Sequence, residues 1–126
     1  MNGIKEEEFL DYCTTINDLC RKCFDKNITQ DEEENIKRSL SRNISGLIDD
    51  SNGSIFTTNQ ELAELFGELY QLSKQIIFLN ILNLPLAHFS VEFNFHTKRY
   101  YEDMLSLTSR IKRKASSIET NKRATY

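Results

Sequence analysis

Leu86-Ala-His-Phe-Ser-Val-Glu-Phe-Asn-Phe-His96 decides how the fold is read, because its apolar residues alternate where those of the rest of the chain step by three and four. In an extended backbone Ala87, Phe89, Val91, Phe93 and Phe95 fall on one side, and His88, Ser90, Glu92, Asn94 and His96 on the other. Phe and Val favour strands while Asn94 and His96 are poor helix formers, so the pattern predicts an extended or β arm over 88–96. The competing reading puts Pro85 in the first turn of one long helix, with Leu86, Phe89, Phe93, Tyr100, Met104, Leu107 and Ile111 along a single face.

Outward from this stretch the rhythm is helical. Phe9, Cys13, Ile16, Cys20 and Cys23 mark one face of a helix over 6–26, with Glu6, Glu7 and Glu8 at its start and Arg21, Lys22 and Lys26 near its end, as the helix dipole favours. Thr29-Gln-Asp-Glu32 has capping-box spacing and opens a helix over 30–49 on the face Ile36, Leu40, Ile44, Leu47 and Ile48. The run Asp49-Asp-Ser-Asn-Gly53 ends it. Thr58-Asn-Gln-Glu61 repeats the capping spacing before the most apolar element, 58–82, whose stripe of Leu62, Leu65, Phe66, Leu69, Leu72 and Ile76 is widened by Tyr70, Ile77 and Phe78. A last helix is expected over 97–116, with a frayed tail over 117–126. Four such helices with short polar loops predict a mainly α protein, an antiparallel bundle in one domain over 1–126.

Composition narrows the function classes. Of 126 residues 39% are hydrophobic and 28% charged, the balance of a globular chain rather than a disordered one. The most apolar segment, 76–86, is interrupted by Asn80, Asn83 and Pro85 and falls short of the ~20 residues that span a bilayer, so no membrane partner is expected. The acidic start, without a basic and apolar leader, predicts an intracellular, cytoplasmic protein. Three cysteines within one helix fit a reducing compartment and core packing better than a disulfide framework.

Cys20-x-x-Cys23 has metal-ligand spacing, with Cys13, His88 and His96 as further donors, but the cysteines share the apolar face of their helix. The expectation is therefore no metal and no cofactor. No nucleophile elbow, phosphate-binding loop or zinc-protease motif is present, and the carboxylate runs at 32–34 and 49–50 mark a helix start and a helix end. A non-enzymatic chain is expected, with no catalytic residues.

The remaining signals concern surfaces. Ile77, Phe78, Phe89, Val91, Phe93 and Phe95 make an apolar region that so small a chain is not expected to cover fully, which predicts docking of a protein partner or a second copy of the chain. An inhibitor, an immunity-type protein or an assembly subunit from a virus or mobile element would have this character. Bases concentrate at the other end of the chain: Lys98, Arg99, Arg110, Lys112, Arg113 and Lys114 are candidates for nucleic-acid binding, and Tyr100-Tyr101 beside them could stack on bases. The patch Ile36-Lys-Arg-Ser-Leu and Ile44-Ser-Gly-Leu-Ile-Asp, with the four-helix segmentation, resembles the four-helix-bundle family encoded in intervening sequences of bacterial large ribosomal RNA genes and its relatives beside diversity-generating reverse transcriptases. That resemblance implies a nucleic-acid-associated accessory protein using the basic last helix. Members that serve a reverse transcriptase present a basic surface, whereas this chain carries a net charge of −3.

Overall fold

Two of the four helices are launched by strands that pair with each other. In the computed structural model, which describes residues 3–25, 27–83 and 91–124 and the side chains of 3–25, 27–83 and 98–118, β1 (Ile4–Lys5) leads directly into α1 (Glu6–Cys23). After α2 (Gln30–Ser51), β2 (Ile55–Phe56) precedes α3 (Gln60–Phe78). The strands are parallel, Ile4 opposite Ile55 and Lys5 opposite Phe56, so α1 and α3 start at the same end of the molecule. A 3-10 turn at Ile81–Asn83 follows, and α4 spans Val91–Ala124.

The direction of each remaining helix follows from its partners. Tyr12, early in α1, donates its hydroxyl hydrogen bond to Asp50 at the end of α2. Lys114, late in α4, pairs with Glu61 at the start of α3. The helices therefore run up, down, up, down, with α1 against α2 and α4, and α3 against α2 and α4. This is the mainly α four-helix bundle that the apolar spacing predicts.

The core is the set of stripes turned inward: Phe9, Cys13, Ile16 and Cys20 from α1, Leu40, Ile44 and Leu47 from α2, Leu62, Phe66 and Leu69 from α3, and Met104 and Ile111 from α4. Phe9 meets Phe66 edge to face at 5.2 Å between centroids, tying α1 to α3 near the strand end. Among the described residues a polar group crosses the α1–α4 seam. The Asn17 amide donates to Thr108 Oγ1 at 3.0 Å, Ser109 Oγ at 2.9 Å and the Leu105 carbonyl at 3.3 Å, while Thr108 donates to the Met104 carbonyl. At the α1–α2 contact Gly46 lies close to Tyr12: a Cβ there would lie 2.9 Å from the Tyr12 hydroxyl, so the tip of that side chain would have to shift.

Several boundaries differ from the sequence expectations: α1 stops at Cys23 rather than 26 and α2 runs on to Ser51 rather than 49, and three departures are larger. The extended arm over 88–96 is corrected at 91–96, which belong to α4, while 88–90 lie outside the described residues. Strand propensity in a short segment is a weak preference, and as the opening turns of a helix of 34 residues this stretch gives its carbonyls intrahelical partners without a partner strand. The β structure sits instead at Ile4–Lys5 and Ile55–Phe56, pieces too short to show a period. The expected frayed tail is likewise helical through Ala124. Finally α3 stops at Phe78 rather than 82, because Asn80 takes the left-handed conformation at φ 58° and Ile81 and Leu82 turn back into the core.

Candidate interaction surfaces

Helix α3 turns its apolar stripe inward as far as Ile76 and then leaves three apolar residues outside. Ile77 is 40% exposed, Phe78 88% and Leu79 47%, and they are consecutive at the helix end. The stripe of α3 explains this. Phe78 lies about 200° around the helix from buried Ile76, on the side away from the core. The turn beyond it is closed by Asn80 N–H donating to the Ile77 carbonyl at 3.1 Å, Asn83 N–H to the Asn80 carbonyl at 3.2 Å, and the Asn83 side-chain amide to Asn80 Oδ1 at 2.6 Å. The apolar residues are thus presented by a hydrogen-bonded corner rather than a loose loop.

The side chains of the other members of the predicted apolar region lie outside the described ones. Phe89 lies outside the described residues. Val91, Phe93 and Phe95 belong to α4, and their side chains lie outside the described ones.

The predicted basic residues lie along α4 in two groups, 98–99 and 110–114. Lys98 pairs with Glu102 at 3.7 Å and Lys114 with Glu61, while Arg99, Arg110 and Arg113 are exposed and Lys112 is half-buried. About 17 Å of helix separates Arg99 from Arg110. Tyr101 is a core residue whose hydroxyl finds no hydrogen-bond partner among the described residues, and burial pushes its pKa up; only Tyr100 beside it is partly open.

The cysteines are free and buried. Burial pushes all three thiols up, Cys23 to about 12, with the nearby Glu33 carboxylate adding to the shift and Lys37 opposing it. A protonated, enclosed thiol is a poor nucleophile. Among the described residues no three His, Cys, Asp or Glu side chains converge as a metal site, and no helix is long and apolar enough to cross a membrane. His88 lies outside the described residues.

Two clefts flank α2. One, between α1 and α2, is lined by Glu8, Asp11, Tyr12 and Asp50; the hydrogen bond to Asp50, followed by burial, raises Tyr12 to about 12. The other, where α2 meets the 3-10 turn, is lined by Glu34, Lys37, Arg38, Arg42, Leu82 and Asn83. Its signal in the sequence is the four-residue step from Arg38 to Arg42, but nothing in the sequence reveals that the chain after α3 folds against them.

No family model, curated protein or solved structure matches the chain.

Proposed function

We propose that the protein is a non-enzymatic interaction module that docks a protein partner, or a second copy of itself, through the apolar corner at the end of α3. The observation that carries this reading is the exposure of Phe78 between two other half-exposed apolar residues on a hydrogen-bonded corner. A side chain of that size held in water forgoes ~1.5–3 kcal/mol that burial against a partner recovers. The protonated, enclosed thiols add no nucleophile to set against this reading. Nucleic-acid association through α4 has less support, since Lys98 and Lys114 already pair with Glu102 and Glu61 and Arg99 stands about 17 Å along the helix from Arg110.

Replacing Phe78 by the photo-cross-linker p-benzoylphenylalanine tests the proposal. Irradiation is expected to yield one discrete adduct, either a covalent dimer of the purified chain or a heteroadduct in the cells that make it. Phe78→Asp should abolish the same association in sedimentation while helical circular dichroism is retained. No adduct in either setting, together with a wild-type monomer at ~100 µM, overturns it.

A further inference from the structure

Arg38 and Arg42 stand one turn apart on the exposed side of α2, and no described carboxylate forms an ion pair with either. Lys37, their neighbour, differs: it is tied to Glu33 at 3.8 Å. Glu34 lines the same cleft a turn before Arg38 without pairing with it. Like charges at this helical spacing repel, so the bundle gains nothing from holding two guanidinium groups together there. The cleft is also lined by Leu82 and Asn83, part of the same hydrogen-bonded corner that exposes Phe78. Four residues separate Phe78 from Leu82, at most about 14 Å of chain, so one extended segment of eight residues reaches both places.

We infer that the partner docked at this corner is an acidic protein segment with an apolar anchor residue, its carboxylates held by Arg38 and Arg42 while the anchor packs on Phe78. This rests on the interaction reading above and gives the partner its chemistry. Guanidinium is suited to the role because its planar fork of donors matches a carboxylate with two parallel hydrogen bonds. A basic segment is excluded by the same charges, and a neutral one would leave the arginines unused.

Panning a random 16-residue phage-displayed peptide library on the wild-type protein tests this directly. Enriched peptides are expected to be net acidic and to carry Phe, Leu, Ile or Met. Synthetic, fluorescein-labelled versions should bind the wild-type chain and lose about tenfold in affinity to Arg38→Gln/Arg42→Gln and similarly in 0.5 M salt, with the helical signal and melting temperature unchanged. Phe78→Ser should weaken the same peptides. Peptides that are neutral or basic, or acidic peptides indifferent to Arg38→Gln/Arg42→Gln, overturn the acidic-partner inference; if they still depend on Phe78, the apolar docking reading stands alone. A library that yields no binder, or binders indifferent to Phe78→Ser, removes both.

Discussion

At the scale of single residues the cysteines make the clearest statement about chemistry. Cys13, Cys20 and Cys23 occupy positions where Phe9 and Ile16 set the environment, so each behaves as a small apolar group whose charged form has no solvation. The folded thiols bind their protons more tightly than the unfolded ones, whose ordinary pKa is 9.0. Stability from this source is therefore complete below about pH 9 and is lost as pH rises toward about 12, the value for Cys23. Tyr12, raised from 10.0 to about 12, adds to the loss in the upper part of that window. Urea midpoints should consequently be level from pH 7 to 8.5 and fall above pH 9. At pH 8 all three thiols should react with a disulfide reagent about 100-fold more slowly in native protein than in denaturant, because reaction waits for opening. Rapid native labelling of any one of them would contradict the packing.

Among the elements, the two capped helix starts separate what spacing reveals from what it leaves open. Thr29 Oγ1 accepts from Glu32 N–H at 3.2 Å, as its spacing predicts. At α3 the cap is one residue later than expected: Asn59 Oδ1 accepts from Leu62 N–H at 2.9 Å, and Thr57 Oγ1 in turn accepts from Asn59 N–H. Thr29→Ala and Asn59→Ala should each cost about 0.5–2 kcal/mol in urea unfolding, and Thr58→Ala close to nothing. An equal loss at Thr58 would restore the earlier cap. The stripes of α1, α2 and α3 were legible because burial repeats along a helix, and so was the bundle they require. The stretch over 91–96 was not, since alternation in six residues weighs less than the helix that continues from it. Nor does periodicity tell whether Ile77 and Phe78 widen a buried stripe or stand outside it; that depends on Asn80, whose left-handed turn sends the chain back before they are covered. The cleft at Arg38 and Arg42 was not legible, because part of its lining comes from residues 82–83.

For the whole molecule the decisive contact joins the first helix to the last. α1 packs against α4 more extensively than against α2, its neighbour in sequence, and the Asn17 group ties residues about ninety positions apart. A chain of this kind is not two independent hairpins laid side by side. Neither α1–α2 nor α3–α4 has a closed core alone, because Phe9 meets Phe66 and the buried Ile111 and Met104 belong to the same cluster as Ile16 and Cys20. Unfolding should therefore be a single cooperative event. Ile111→Ala removes a fully buried side chain and should cost about 2–5 kcal/mol. If the bundle is one unit, native-state hydrogen exchange will show that loss in full at the slowest amides of α1, between Phe9 and Cys20, although the substitution lies in α4. If instead α1 and α2 keep their protection while only α3 and α4 weaken, the molecule is a pair of docked hairpins, and the α1–α4 seam contributes less than its burial indicates.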